Sequence, residues 1–173
     1  MLKSIVFYLL VKRITYSILY YEEGFIMKRT GILNSMLSEA VSGMGHGDMI
    51  LIGDVGCPFP RHGQTKVIDL AVTDGIPKVT DVLKVVLQEL EVESYIVSQE
   101  TKDVSPEIYK SFCEILDKYQ NKGNPLTEKT IPHAEMKNLW LNGALEGKEV
   151  KVFVRTGQRT PFCYIMLVAG VDF

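Results

Sequence analysis

A chain of 173 residues is long enough to bury one hydrophobic core, so we expect a single domain. Its formal net charge of −2, with both signs interspersed, gives no basic face for nucleic acid and no polybasic patch for a membrane surface. The three scattered cysteines, Cys57, Cys113 and Cys163, fit a reducing cytoplasm better than a disulfide scaffold, and the lack of Cys-x-x-Cys and His-x-x-x-His spacings argues against a structural zinc site.

Residues 1–26 differ in pattern from the rest of the chain. Two apolar runs are interrupted by Lys12 and Arg13, and neither reaches the about 20 residues that a membrane-spanning helix needs. The Glu-Glu-Gly triplet that begins at Glu22 would be encoded by a purine-rich stretch of the kind that recruits bacterial ribosomes. We therefore expect Met27 to be the natural start and residues 1–26 to be a translated leader. The alternative is an amphipathic arm that packs on a partner.

The stretch from His46 to Pro60 predicts a buried strand that leads into a tight loop. Four consecutive apolar residues from Met49 are followed by glycines and prolines, which end a strand and form a rigid turn. Ligands bind beyond the carboxyl ends of the strands in an α/β sheet, so Asp54 lies where a binding site is expected. His46 precedes the strand between two glycines, where an accessible imidazole could transfer protons near neutral pH. Alternatively, this Gly-His-Gly-Asp segment is only a turn that closes a helix.

Alternating helices and strands follow in chain order. Helices are predicted from apolar positions at helical spacing and from capping residues, and strands from short apolar runs between turn residues. The expected order is a helix from Asn34 or Ser35 to Gly43, the strand from Met49, a strand over 65–72, a helix from Pro77 or Thr80, a strand over 95–98, a helix from Ser105 to about Gln120, a strand over 127–131, a helix from His133 to Asn142, and strands over 150–155 and 164–168. This order indicates an α/β fold with a largely parallel sheet covered by helices on both faces.

Other candidate residues can be interpreted in more than one way. His133 begins a helix, where the helix dipole favours a neutral imidazole that both donates and accepts hydrogen bonds, although an exposed helix-start residue would look the same. His62 has the neighbours of a solvated loop residue, and Cys57 those of a small core thiol. The motifs of a phosphate loop and of a serine nucleophile elbow are absent from the sequence. The residues alone indicate a small α/β domain with a histidine and aspartate cleft for polar ligands.

Several ordered motifs carry a resemblance to a known family. They are K-R-T-G-I-L-N-S from Lys28, G-H-G-D from Gly45, G-D-V-G-C-P-F-P from Gly53, I-D-L-A-V-T-D-G-I-P from Ile68, H-A-E-M-K from His133, R-T-G from Arg155 and A-G-V-D-F from Ala169. Over residues 27–173 the sequence resembles the D-ribose pyranase and L-fucose mutarotase family. Several motifs at compatible spacing are far more specific than any one of them alone.

The resemblance implies an isomerase that interconverts sugar ring forms without a cofactor or a metal ion. Such an enzyme exchanges β-D-ribopyranose with β-D-ribofuranose, or the anomers of another aldose such as L-fucose. The resemblance implies a general acid and a set of sugar-binding residues. The acid is His46, and the binding residues are Asp54, His133 and the tripeptide Phe162, Cys163 and Tyr164. It also implies a homo-oligomer, a pentamer or decamer ring, with sites between neighbouring subunits.

The tripeptide departs from the pattern of that family. It is usually Tyr-Ala-Asn, whereas here it is Phe162-Cys163-Tyr164, and Gln158 stands where an acid is common. A site that loses polar partners for a sugar hydroxyl loses about 1–3 kcal/mol per unsatisfied group. Either Tyr164 supplies a hydroxyl from another direction, or the sugar specificity has changed, or activity is weak. The last outcome keeps open a sugar-binding protein with reduced or no catalysis.

Overall fold

The computed structural model describes residues 28–61, 64–119, 125–142, 144–145 and 148–171. Within it, the chain from Gly31 onward forms one compact unit. The expected leader over residues 1–26, the solvated loop position of His62 and the helix stop at Gly143 lie outside the described residues.

Helices and strands follow one another as the sequence predicts, with two short additions. The helices are α1 Ser35–Ser42, α2 Val79–Val86, α3 Gln99–Val104, α4 Pro106–Tyr119 and α5 His133–Asn142. The strands are β1 Met49–Gly53, β2 Lys66–Asp69, β3 Val92–Ser98, β4 Thr127–Ile131, β5 Ala144–Leu145, β6 Lys148–Arg155 and β7 Ile165–Ala169. The two elements that sequence reasoning missed are α3 and β5.

The strands form one mixed sheet in the order β2-β6-β1-β7-β3-β4, with β5 paired to β6. Parallel pairing joins β2 to β6, β6 to β1, and β3 to β4. The exception is β7, which lies antiparallel between β1 and β3. Five of the six strands in that order therefore run in one direction, which confirms the largely parallel sheet and adds one reversed strand at its centre.

Helices cover both faces of the sheet, as expected. Strand β1 directs alternate side chains to opposite faces, with Ile50 and Ile52 in one core cluster and Met49 and Leu51 in the other. The first cluster includes buried residues of α1, α2 and α4, and the second includes those of α5. Because β1 is buried on both faces, its sequence is a continuous apolar run rather than an alternating one.

The topology brings several chain segments to one edge of the sheet. The carboxyl ends of β1, β6, β3 and β4 meet there, because those strands are parallel. The reversed strand β7 begins at the same edge, since Ile165 pairs with Ile52 near the end of β1. Residues that follow β1, β3 and β4 are therefore neighbours of the residues that precede β7, although they are far apart in sequence.

Candidate active site

A cavity of about 310 Å³ opens at this edge of the sheet. Its wall combines a carboxylate, an imidazole, two cationic side chains and three aromatic rings. The lining residues are Asp54, Val55, Gly56, Cys57, Pro58, His133, Lys137, Trp140, Arg159, Thr160, Pro161, Phe162 and Tyr164. Polar groups beside flat apolar rings suit a small polyhydroxylated ligand.

Asp54 stands at the end of β1 and is only 8% exposed. The turn after it directs the Gly56 amide at Oδ1, at 2.8 Å, and the Cys57 thiol and the Cys163 backbone also hydrogen-bond to the carboxylate. Gly53 is required for this close packing, because a Cβ at that position would meet the Cys57 sulfur at 2.9 Å. Burial raises the pKa of Asp54, and the hydrogen bonds oppose the rise. The carboxylate is thus held in a fixed direction.

The two cysteines near Asp54 behave as buried thiols. Burial raises the pKa of Cys163 to about 12, and burial together with the nearby Asp54 carboxylate raises that of Cys57. Neither is suited to act as a thiolate nucleophile at neutral pH. Cys57 lines the cavity, whereas Cys163 is not among the lining residues and its side chain lies in the core. A direct contact between Cys163 and a sugar stays a prediction.

His133 is the first residue of α5 and is held from two sides. Its backbone amide donates to Glu100 Oε2 at 2.7 Å, so that a carboxylate from α3 satisfies an amide at the start of α5. Its Nδ1 lies 2.5 Å from the Tyr164 hydroxyl. The imidazole also makes an edge contact with the ring of Phe162, with centroids 5.1 Å apart. The histidine ring therefore has one defined orientation on the cavity wall.

Phe162 and Tyr164 of the tripeptide line the cavity beside His133, whereas Cys163 lies between them in sequence and faces the core. Phe162 has a φ of +55°, a conformation that costs energy for a residue other than glycine. The Thr101 hydroxyl stabilises this turn by donating to the Phe162 carbonyl at 2.8 Å. Tyr164 is 1% exposed, and its hydroxyl donates to Ser98 Oγ at 2.8 Å. The Tyr164 hydroxyl is thus bonded to protein groups on both sides.

His46 does not line this cavity. It precedes β1, whereas Asp54 follows β1, and the five residues of that strand separate its ends by about 13 Å. The His46 side chain is 59% exposed, and its Nε2 lies 2.8 Å from Glu93 Oε2 at the far end of the sheet. The structure thus brings together Asp54, His133, Phe162 and Tyr164, and within one chain it leaves His46 apart from them.

Sequence reasoning missed several lining residues, among them Lys137, Trp140, Arg159 and Thr160. Lys137 lies four positions after His133 on α5, and this spacing puts both side chains on one helix face, so it was a usable signal. Trp140 is a fully buried residue of α5 and is also part of the wall. Arg159 and Thr160 come from the loop before β7, where no sequence pattern identified them. Gln158 in that loop bonds to Thr160 Oγ1 at 2.7 Å.

Comparison with known protein families shows which family this chain belongs to. The family model described as the RbsD / FucU transport protein family matches residues 27–172. The chain belongs to the RbsD / FucU family. Within this family, a D-ribose pyranase from Clostridium perfringens is 41% identical over 147 residues, which is 85% of this chain and 100% of that relative. A D-ribose pyranase from Lactobacillus acidophilus is 43% identical over 148 residues, with the same two coverages.

Solved structures of RbsD / FucU proteins share the fold. RbsD of Bacillus subtilis, determined in complex with D-ribose, is 33% identical, covers 85% of this chain and 100% of its own, and superposes with a TM-score of 0.71. The fucose mutarotase of Streptococcus pneumoniae, determined with L-fucose, is 18% identical with a TM-score of 0.61 over 85% of this chain and 100% of that chain. The second likeness concerns the fold alone.

The described residues contain neither a metal-binding cluster nor a membrane-spanning helix. Among the residues that the structure describes, no cluster of three or more His, Cys, Asp or Glu side chains is arranged to hold a metal ion. Within the same ranges, no helix is long and apolar enough to cross a membrane.

Proposed function

We propose that this protein is a D-ribose pyranase, an isomerase that interconverts β-D-ribopyranose and β-D-ribofuranose by acid/base-assisted ring opening and closure. Curated relatives named D-ribose pyranase are 37–43% identical over 85% of the chain. The observation that carries the proposal is the cavity at the carboxyl edge of the sheet, which Asp54 and His133 line together with the rings of Trp140, Phe162 and Tyr164. The relative with bound D-ribose has the same fold and is 33% identical.

The chemistry requires two proton transfers. Opening the ring needs a proton at the ring oxygen and removal of a proton from the anomeric hydroxyl, and side chains that assist such steps contribute about 10²- to 10⁴-fold in rate. In this proposal Asp54 accepts hydrogen bonds from sugar hydroxyls and orients the ring. The rings of Phe162 and Trp140 cover its apolar face. His46 donates the proton to the ring oxygen.

His46 reaches the cavity from a second copy of the chain. Since β1 separates His46 from Asp54, a complete site needs the His46 end of one subunit beside the Asp54 end of its neighbour. A head-to-tail contact forms a ring when its rotation closes, and the expected pentamer or decamer is a ring of this kind. His46 is 59% exposed in the single chain and is therefore accessible to such a neighbour.

The unusual tripeptide favours a second candidate function. Phe162 brings no hydroxyl into the cavity, and the Tyr164 hydroxyl is occupied by His133 and Ser98. A sugar that relies on hydrogen bonds at these two positions would bind more weakly. The alternative is therefore a weakly catalytic or non-catalytic sugar-binding protein, or a mutarotase for another aldose such as L-fucose. In either case the three free cysteines fit a cytoplasmic location.

Saturation-transfer NMR separates these possibilities. The exchange between pyranose and furanose forms, and between anomers, is measured for ribose, fucose and other aldoses with and without protein. We expect accelerated exchange for ribose, its loss in His46→Ala, and its retention in the control His62→Ala. Ribose binding without accelerated exchange supports the alternative. An unchanged rate in His46→Ala rules out His46 as the acid.

A further inference from the structure

Four side chains and one carbonyl form a continuous hydrogen-bond relay behind the cavity. It begins at His133 Nδ1, 2.5 Å from the Tyr164 hydroxyl, and continues from that hydroxyl to Ser98 Oγ at 2.8 Å. Ser98 Oγ lies 2.9 Å from Thr101 Oγ1, and Thr101 Oγ1 is 2.8 Å from the Phe162 carbonyl oxygen. Ser98 and Thr101 are fully buried, so no solvent competes for these bonds.

Counting protons fixes the direction of every bond in the relay. The Phe162 carbonyl can only accept a hydrogen bond, so the Thr101 hydroxyl donates its one proton to it. Ser98 must then donate to Thr101 Oγ1, because Thr101 has no second proton. Tyr164 donates its one proton to Ser98 Oγ, so its oxygen can only accept from His133 Nδ1. Burial raises the pKa of the Tyr164 phenol, so the hydroxyl keeps its proton at neutral pH.

We propose that this relay locks neutral His133 in the tautomer with the proton on Nδ1, so that Nε2 presents a lone pair to the cavity and accepts the proton of the anomeric hydroxyl. The inference rests on the proposed function for the identity of the hydroxyl. His133 lines the cavity, and within the described part of the chain Nε2 has no hydrogen-bond partner. Ser98, Thr101 and Tyr164 are then positioning residues, whereas His133 touches the substrate.

Tyr164 is the residue that gives the relay its fixed direction. A carboxamide at this position would both donate and accept, so it would tolerate either histidine tautomer. A phenol whose single proton is donated to Ser98 tolerates only one.

Solid-state NMR of the assembled protein labelled with ¹⁵N-histidine tests the tautomer directly. Spectra are recorded over a range of pH values, and the tautomer is assigned from the signals of the neutral ring. The variants His46→Asn and His62→Asn identify the His133 signals by elimination. We expect a protonated Nδ1 and an unprotonated Nε2 in the wild type. A His133 with its proton on Nε2 overturns the inference.

Substitutions in the relay supply the second test. Tyr164→Phe removes the acceptor and should move His133 towards the Nε2–H form, with kcat for sugar exchange falling about 10-fold or more and KM changing little. Ser98→Ala frees the Tyr164 proton to turn towards His133 and should have the same spectral effect, while Ser98→Thr restores the hydroxyl and the wild-type spectrum. Tyr95→Phe is the matched control, because that buried phenol bonds to Glu128 outside the relay.

The spectra distinguish failure of the relay from failure of the proposed function. In one case, His133 carries its proton on Nδ1 in the wild type and on Nε2 in Tyr164→Phe, but no sugar is exchanged. That result supports the relay and contradicts only the proposed reaction. If sugars are exchanged but Tyr164→Phe leaves both the His133 spectrum and kcat unchanged, the relay is wrong and the proposed function stands.

Discussion

At the scale of the residue, Asp54 combines a proposed role in sugar binding with a cost in stability. Because burial raises its pKa in the folded protein, the ionised carboxylate is disfavoured there, and stability falls as the pH rises through that pKa. Hydrogen bonds to the carboxylate, including the one from the Gly56 amide, offset part of this cost without removing it. A carboxyl group whose pKa is perturbed by burial inside a cavity is typical of a functional site.

We therefore predict that Asp54→Asn separates stability from activity. The amide can still accept the bond from Gly56, so the free energy of unfolding at pH 7, measured by urea denaturation, should be equal to or above that of the wild type. Loss of a charged hydrogen bond to the sugar should lower kcat/KM by about 10- to 100-fold. If the free energy of unfolding of Asp54→Asn is more than about 1 kcal/mol below that of the wild type, the buried carboxylate does not destabilise the fold and the account is contradicted.

Phe162 allows a gain-of-function prediction. Phe162→Tyr places a hydroxyl in the cavity without changing the ring that contacts His133. We expect the KM for ribose to fall by up to about 10-fold, because one good hydrogen bond contributes about 1 kcal/mol. Phe59→Tyr, on an exposed ring outside the cavity, is the control. An unchanged KM for ribose in Phe162→Tyr would mean that the missing hydroxyl does not limit binding.

At the scale of the element, Glu128 connects the edge strand β4 to neighbouring helices through hydrogen bonds and an ion pair. Its carboxylate accepts hydrogen bonds from Tyr95, Tyr109, Thr130 and Lys102, which belong to β3, α4, β4 and α3. Burial raises the pKa of Glu128, but these bonds lower it more, to about 2. The same helix α3 carries Thr101 and Glu100, so this anchor also steadies the wall of the cavity.

The lowered pKa predicts an acid-dependent loss of stability. A glutamate whose folded pKa lies below its unfolded value stabilises the fold above the unfolded value, and the contribution disappears as pH falls from about 4.5 to about 2. Glu128→Gln should cost on the order of 2 kcal/mol of unfolding free energy at pH 7 and progressively less over that interval. Glu149→Gln, in an exposed pair with Lys151, is the control and should change little at either pH. A constant difference between Glu128→Gln and wild type down to pH 2 would refute the assignment.

Local sequence patterns predicted the longer elements well and the connections poorly. Helical spacing of apolar residues identified α2 and α4, because each buries one face. Helix α3 was missed because Thr101 is its only buried side chain, so no apolar repeat marks it. The antiparallel direction of β7 was also missed, because a strand buried on both faces has the same apolar run in either direction.

The candidate site was predictable in its chemical groups but not in its contacts. His46, Asp54 and His133 could be named from their positions at element ends and from the family resemblance. The relay of Ser98 and Thr101 to Tyr164 and Phe162 spans 61 to 66 positions in the sequence, so only the fold reveals it. The separation of His46 from the cavity became evident only once both ends of β1 were located.

At the scale of the whole molecule, the proposed function makes the active site a shared feature of two subunits, because β1 separates His46 from Asp54. One end of the strand supplies Asp54 to the cavity, and the other end supplies His46 to a surface where it pairs with Glu93. The proposed function therefore needs two copies of the chain for each site. Any oligomer that joins these two surfaces head to tail repeats the same site at every contact.

Subunit complementation tests this most directly. His46→Ala and Asp54→Ala proteins, each inactive alone, are unfolded together, refolded as mixed oligomers and assayed for ribose ring exchange by saturation-transfer NMR. If His46 and Asp54 of one site come from different subunits, about one quarter of the sites in a random mixture are intact and a matching share of wild-type activity returns. If mixed oligomers form and remain inactive, the shared site is contradicted.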